Sequence, residues 1–120
     1  MVSPDLAPSW DVDNIPRPVS ALSASLVSRD WEHASHRHRK AQLLYSLRGV
    51  LKCEVDGGVW IVPPHCAVWI PGGLEHSVRG SGETHCYCLF VEPAAVAGLP
   101  QACCTISVSP LLRELLLKAA

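Results

Sequence analysis

Short apolar runs separated by clusters of Gly, Pro and Asp are the feature that most restricts how this chain can fold. From Val19 onward the runs are rich in Val, Leu, Ile, Trp and Cys. This spacing is typical of an antiparallel β-sandwich or β-barrel. We therefore predict an all-β domain. The predicted strands are VSALSASLV, QLLYSLRG, VLKCEVD, VWIVP, CAVWIP, HSVRG and THCYCLFVE.

One β-hairpin is predicted by its turn residues. Asp56, Gly57 and Gly58 stand between two apolar runs, in the stretch VLKCEVDGGVWIV. Asp and Gly tolerate the positive φ angles that tight hairpin turns require. We expect these two runs to pair directly across that turn.

Helical periodicity is found at the end of the chain. Ser109 can cap a helix there, and Pro110 suits its first position. The four leucines at helical spacing are too many for a solvated tail, so the helix should pack on its own domain, on a second copy or on a following domain. These leucines are Leu111, Leu112, Leu115 and Leu116.

The length of 120 residues suits a single domain with one core. The first 18 residues are rich in proline and acids, so residues 1–18 are expected to form an N-terminal arm without regular structure. Residues 19–108 should form the β-barrel. Residues 109–120 should form the C-terminal helix.

Composition limits the partners that this chain can have. The formal net charge of −1 does not point to a nucleic-acid or membrane surface. No apolar stretch approaches the roughly 18 residues of a membrane span, and no export signal precedes the domain. We expect a soluble, cytoplasmic protein, no membrane partner, and six reduced cysteines that serve as small core residues rather than as a disulfide or zinc framework.

Two stretches of sequence contain side chains that could bind a metal ion. In HRHRKAQLLYSLRG, His36 and His38 share a face if they lie on a strand, and Gln42 has the same parity if the strand continues. In WIPGGLEHSV, a Pro-Gly-Gly turn delivers His76 to another strand. Three imidazoles with one further ligand suit a metal site that keeps a position open.

A simpler interpretation is also open for the first stretch. His36 and His38 could lie on a solvated strand edge with the basic run around them, which is most simply a solvated face. That run is Arg37, Arg39 and Lys40.

Together the two stretches resemble the paired motifs of the cupin superfamily. The pattern H-x-H-x3-[E]-x6-G is met at His36, His38, Gln42 and Gly49, and the pattern P-x-G-x2-H at Pro71, Gly73 and His76. The resemblance implies a double-stranded β-helix (jelly-roll) barrel with the site in its interior. It also implies a divalent metal, Zn, Ni, Fe or Mn, held by His36, His38, Gln42 and His76.

The chain departs from the cupin pattern at several positions. Gln42 stands where the family usually has glutamate, so a bound ion would keep its full charge of +2, which weakens metal binding and favours anion capture. Asp30 and His65 replace the glycines that commonly open each motif, and Gly80 replaces a closing asparagine.

A second resemblance covers about residues 30 to 120. The segments WIVPPHCAVWIPGGLEH and VSPLLRELLLKA resemble the N-terminal cupin domain of AraC-family transcriptional regulators. This implies a domain that binds a small-molecule effector of unknown identity or forms a homodimer. In that family DNA is bound by helix-turn-helix units that follow this domain, and no residue of this chain is assigned to DNA.

Two other functions stay open at this point. The site could belong to a stand-alone metal-dependent cupin enzyme of the dioxygenase or isomerase type, although Glu75 is the only acid beside the motif and should face the opposite way. It could also be a metal-free binding module in which the histidines form hydrogen bonds with a ligand.

Other aromatic and imidazole side chains have weaker assignments. Trp60 and Trp69 are core residues by default, or else the wall of a ligand pocket. We expect His33, His65 and His85 to be surface or hydrogen-bonded core residues rather than ligands.

Overall fold

The computed structural model describes residues 12–120 of the chain. The first eleven residues of the predicted arm lie outside the described residues, as do the side chains of residues 28 and 29. The strands are β1 (Val19–His36), β2 (Ala41–Arg48), β3 (Leu51–Val55), β4 (Gly58–Val62), β5 (Ala67–Ile70), β6 (His76–Val91) and β7 (Cys104–Ile106). One α-helix, α1 (Pro110–Ala119), follows them, and short 3-10 turns lie at Val12–Asn14 and Pro93–Ala95.

The seven strands form one sheet in which every pairing is antiparallel. The strand order is β4-β3-β6-β2-β5-β7, and β1 pairs with the other edge of β6. The long strand β6 therefore holds the fold together, because its first residues pair with β3 and its last residues pair with β2. The sheet curls into a nearly closed barrel, which confirms the all-β prediction.

Two strands are longer than predicted. HSVRG and THCYCLFVE are parts of a single strand, β6, and the first run continues to His36. The glycine that suggested a break, Gly80, has a packing role, since a Cβ there would lie 2.7 Å from the indole ring of Trp31. Pairing with β1 is present on both sides of this region, across a register shift between Ser28 and Trp31, so the two runs belong to one strand.

The predicted hairpin is confirmed. Val55 pairs with Gly58, which leaves Asp56 and Gly57 as a two-residue turn with φ angles of 43° and 85°. Positive φ at both positions is the type I′ geometry that fits the twist of the flanking strands.

Buried side chains form two groups on opposite faces of the sheet. The inner cluster fills the barrel and consists of Val12, Leu26, Trp31, Leu44, Leu51, Cys53, Val55, Val62, Val68, Ile70, Val78, Cys86, Cys88 and Phe90. The outer cluster, beneath α1, consists of Ala41, Leu43, Tyr45, Ala67, Trp69, Val91 and Leu116.

Helix α1 begins as the sequence predicts. The Ser109 hydroxyl accepts a hydrogen bond from the backbone N–H of Leu112, and Pro110 occupies the first turn. Leu116 is buried in the outer cluster, whereas Leu111 and Leu115 are 71% and 56% exposed. One face of the helix therefore packs on its own domain and the other does not. No helix in residues 12–120 is long and apolar enough to cross a membrane.

Candidate metal centre

Three histidines from separate parts of the fold meet at one end of the barrel. His36 is the last residue of β1, His76 is the first of β6, and the two are paired in the sheet. His38 lies in the connection between β1 and β2. One ligand atom from each ring lies within 4.8 Å of the others, and the ring centroids are 4.3 to 5.5 Å apart.

The expectation of one continuous strand through these residues is wrong. The H-x-H pattern spans a strand end and a turn, and Gln42 lies on the next strand, β2. His36 and His38 come together because the chain bends at residues 37–40, with bends assigned at residues 39 and 40.

Each ring of this triad is oriented by a backbone carbonyl. Nδ1 of His36 donates to the carbonyl of Ala34 at 2.8 Å, and Nδ1 of His38 donates to that of Lys40 at 2.6 Å. Nδ1 of His76 donates to the carbonyl of Leu74 at 2.9 Å. Because a carbonyl can only accept, Nδ1 carries a proton in all three rings, and in the neutral form of each ring Nε2 has its lone pair available for a ligand.

His76 provides the clearest indication that this site can bind a ligand. It is 2% exposed, and its Nε2 is buried without a hydrogen-bond partner. Buried polar atoms are normally paired, so this one indicates an additional group. Burial, together with the charges of the neighbouring histidines, lowers the pKa of His76 to about 4, so its ring is neutral near pH 7 and able to bind a cation.

Gln42 lies beside the triad and is buried. Its Oε1 is 3.2 Å from Nε2 of His38, and its amide donates to Sγ of Cys88 at 3.3 Å. With the His38 proton on Nδ1, two acceptor atoms face each other, and a cation between them would stabilise the pair. The four predicted ligands are therefore neighbours, and they fit a divalent ion through three imidazole nitrogens and one amide oxygen.

The turn that carries His38 is held by the second motif. The backbone N–H of Gly73, at a φ of 85°, donates to the His38 carbonyl at 2.8 Å. Gly72 packs so closely that a Cβ would lie 1.9 Å from the Arg39 carbonyl oxygen. Only a residue without a side chain fits at Gly72, which is why this turn needs a second glycine.

The same turn is also held by the N-terminal segment. The carboxylate of Asp13 accepts from the backbone N–H groups of Arg39 at 2.7 Å and Lys40 at 3.0 Å. The Lys40 ammonium is 1% exposed and donates to the carbonyls of Ile15 and Arg17. The expectation that Arg37, Arg39 and Lys40 form a solvated face is thus wrong for Lys40. Sequence reasoning missed Asp13, because nothing in the pattern links it to a turn 26 residues later.

The remaining sequence candidates lie elsewhere. Trp60 is half-buried against the inner cluster, whereas Trp69 is 6% exposed in the outer cluster and donates to the Pro100 carbonyl. His65 contacts the Tyr45 hydroxyl at 3.2 Å, and His85 stacks on Tyr87.

His33 is the exception among the histidines set aside. Its ring centroid is 4.2 Å from that of His36. It therefore borders the triad.

The cysteines are free thiols in the structure. Burial raises the pKa of Cys53 to about 12 and that of Cys103 to about 11, so both stay protonated at neutral pH. This agrees with their predicted role as small core residues.

A polar cleft of about 550 Å³ lies on the outer side of the strands that carry the triad. Its lining includes residues adjacent in sequence to His36 and His76, with Glu75 bonded to the Ser35 hydroxyl and to the Arg37 guanidinium. The Glu75 carboxylate therefore forms its hydrogen bonds on the outer surface.

Comparisons with known proteins agree with this geometry. The profile of the Cupin domain family matches residues 26–92. The HTH-type transcriptional regulator NimR of Escherichia coli (strain K12) is 49% identical over 85 residues, which cover 71% of this chain and 31% of that protein. The chain therefore spans about a third of the length of this curated relative.

Solved structures share the fold at low sequence identity. A cupin superfamily protein from Desulfitobacterium hafniense DCB-2 has a TM-score of 0.58 at 15% identity, covering 62% of this chain and 67% of that one. Oxalate decarboxylase of Bacillus subtilis, described with Mn(II) centers, has a TM-score of 0.55 at 17% identity, covering 74% of this chain and 24% of that one.

Proposed function

Because the chain belongs to the cupin domain family, we propose that it is the sensing and dimerisation module of an AraC-like transcriptional regulator, with a divalent metal at the triad. The observation that carries the regulator assignment is the 49% identity to NimR over most of this chain. The matched part is 31% of NimR, which leaves the rest of that protein to bind DNA.

The metal assignment is supported by the chemistry of the donor set. Carbonyl hydrogen bonds engage Nδ1 of all three rings, and the Nε2 of His76, the most buried of the three residues, has no partner among the described residues. His36, His38 and His76 would hold the ion, and Gln42 would offer an amide oxygen. The ion would supply a Lewis acid to which an anionic or carbonyl-bearing effector could bind.

The output of such a module would pass through helix α1. Its exposed leucines suit a second copy of the chain, and DNA contact would belong to a separate domain. An effector that binds two arrangements of the module with different affinity is sufficient for sensing.

The metal is tested by titrating chelator-treated protein with Zn²⁺, Ni²⁺, Fe²⁺ and Mn²⁺ in a calorimeter. We expect one ion per chain in the wild type and none in His76→Ala. The His76→Ala variant should keep the β-sheet circular dichroism of the wild type in metal-free buffer, because the residues that line a pocket usually do not stabilise the core. Wild-type protein that binds none of the four ions up to about millimolar, the range of weak sites, would overturn the metal assignment.

The regulator is tested with the native gene product from source cells. An immunoblot with an antibody against this domain should give a band well above 13.0 kDa. That protein should footprint DNA upstream of its own or a neighbouring gene. A band at 13.0 kDa, with no footprint, would contradict the proposal.

A metal-dependent enzyme is the second candidate, because three nitrogen ligands leave coordination positions for a substrate. Glu75 does not support it. Its carboxylate is 56% exposed and paired with Arg37 on the outer surface, away from the triad. An enzyme would require a different acid or base.

A further inference from the structure

A β-bulge next to the triad changes the direction of one more histidine. β1 and β6 pair in step from Trp31 with Gly80 to His33 with Val78, and pairing resumes at His36 with His76. The step from His33 to His36 is three residues on β1, whereas the matching step from Val78 to His76 is two residues on β6. Without the bulge, alternation would place His33 and His36 on opposite faces, because they are three positions apart. Bulges commonly re-aim a side chain near a functional site.

The bulge makes His33 a neighbour of the triad. Its ring meets that of His36 edge-on at 4.2 Å, with an interplanar angle of 72°, and the ring is half-buried. The four imidazoles therefore form a continuous series, in which each ring is within 4.9 Å of the next. His33 lies at the end of that series, beside His36.

Within residues 12–120, the donor set next to this ring lacks a carboxylate. Three imidazoles and the Gln42 amide carry no negative charge, and Glu75 is paired on the outer surface. A fourth neutral nitrogen donor would add ligand strength for ions that prefer imidazole, namely Zn²⁺, Ni²⁺ and Cu²⁺. Mn²⁺, which prefers oxygen ligands, would gain little.

We propose that His33 is a fourth imidazole ligand of this centre and makes it selective for late first-row ions over Mn²⁺. This proposal rests on the proposed metal site. His33 lies outside the group of three whose ligand atoms fall within 4.8 Å of one another, so this role requires its side chain to rotate toward them when an ion binds.

The test compares His33→Ala and His33→Gln with a matched control, His85→Ala. His85 is also a half-buried histidine on a strand with a ring contact, but that contact is with Tyr87. Zn²⁺, Ni²⁺ and Mn²⁺ affinities are measured by competition with a chromophoric chelator. Cu²⁺ electron paramagnetic resonance counts the coupled nitrogens, and thermal melting in metal-free buffer checks the fold.

Both His33 variants should lose about 10- to 100-fold in Zn²⁺ and Ni²⁺ affinity, the range measured for groups that support a metal site. Mn²⁺ affinity should stay within about twofold of wild type, and the Cu²⁺ spectrum should lose one nitrogen. His85→Ala should change none of these. Two substitutions at His33 are compared in order to separate a loss of ligation from a loss of folding. His33→Gln keeps a polar side chain at the bulge, so it should fold even if His33→Ala does not.

Other outcomes separate the two proposals. Wild-type binding that is unchanged in both His33 variants, with an unchanged Cu²⁺ spectrum, would overturn the role of His33 and leave the triad site in place. Equal losses for Zn²⁺ and Mn²⁺ would overturn selectivity by His33. Wild-type protein that binds no ion at all would overturn both the site and its fourth ligand.

Discussion

At the scale of single residues, the main chain orients the histidines of the triad. Ala34 and Leu74 contribute only their carbonyls, whereas Lys40 also holds the turn through its buried ammonium group. Orientation therefore depends on the backbone path, and the identity of the metal depends on the side chains that complete the site.

Gln42 is the residue whose chemistry can be changed with the least change in shape. Gln42→Glu keeps the side-chain length and adds a negative charge beside His38, whose Nε2 is 3.2 Å away. We expect Mn²⁺ affinity to rise at least about tenfold, because Mn²⁺ prefers oxygen ligands and the new charge offsets that of the ion. The measurement is a Mn²⁺ titration followed by electron paramagnetic resonance.

The control for added charge is Gln101→Glu, since Gln101 is exposed and lies in a loop. It should leave Mn²⁺ affinity unchanged. A Gln42→Glu protein that is folded without metal but binds Mn²⁺ no better than wild type would show that Gln42 does not face the ion.

At the scale of elements, the turn at residues 38–40 is held from two sides. Residues 12–17 form hydrogen bonds with it through the Asp13 carboxylate and through backbone carbonyls that accept from the Lys40 ammonium. The Gly72–Gly73 turn packs on its other side. His38 is therefore positioned by two connections rather than by a strand.

Asp13→Asn tests the N-terminal side of this arrangement. An amide can accept from only one of the two N–H groups and presents its own NH₂ to the other. We expect the free energy of unfolding to fall by about 1 to 3 kcal/mol near pH 7, the usual value for a hydrogen bond to a charged group. Urea denaturation measures it.

The pH dependence of this difference has a definite sign. Burial raises the pKa of Asp13, but the N–H groups of Arg39 and Lys40, together with the charges of Arg39 and His38, outweigh burial and hold that pKa below its usual 3.8. A lowered carboxyl pKa stabilises the fold above 3.8, and the stabilisation is lost as the pH falls through the folded-state value. The wild type and Asp13→Asn should therefore converge as the pH falls below that folded-state value. Glu92→Gln, which removes only the ion pair with Arg39, should not reproduce the loss at pH 7.

Gly72→Ala tests the opposite side of the turn. Its methyl group cannot be placed 1.9 Å from the Arg39 carbonyl oxygen, so the turn must move. We expect a loss of about 2 to 4 kcal/mol in unfolding free energy, in the upper range for single substitutions, together with weaker metal binding. Thermal melting and metal titration measure the two effects.

Gly73→Ala is the matched comparison. A Cβ there meets nothing within 4 Å, but the φ of 85° disfavours an L residue by about 1 to 2 kcal/mol. If Gly72→Ala were no more destabilising than Gly73→Ala, the close approach to Arg39 would not restrict this position.

Much of the fold and part of the candidate site could be predicted from the sequence, because their causes are local. The Asp56–Gly57 turn and the Ser109 cap depend on neighbouring residues, and both are confirmed. The length of β6 could not be predicted, since Gly80 makes room for Trp31 from another strand. The contact of His33 with His36 depends on a bulge that periodicity does not reveal. Such features arise from pairings between distant segments.

At the scale of the whole molecule, the triad and helix α1 are attached to different faces of one sheet. The triad lies at one end of the barrel, at the start of β6, and Leu116 packs in the outer cluster with Val91, at the end of β6. A rigid sheet between them could pass a change in strand position from one to the other. If the chain dimerises as proposed, the exposed side of α1 would be the surface at which a change in the site alters association.

The double variant Leu111→Ser, Leu115→Ser tests this surface without removing the helix. Both side chains are more than half exposed, so the barrel should lose little stability, whereas a dimer that buries them should weaken. We expect sedimentation equilibrium to give twice the 13.0 kDa of one chain for the wild type and a mass near 13.0 kDa for the variant.

Leu116→Ala is the contrasting control. It removes most of a buried side chain and should lower the unfolding free energy by about 2 to 5 kcal/mol, while the exposed surface at Leu111 and Leu115 stays unchanged. A wild type that sediments as a single chain at every concentration would contradict a homodimer through α1, and an unchanged dimer in the double variant would place the interface on another surface.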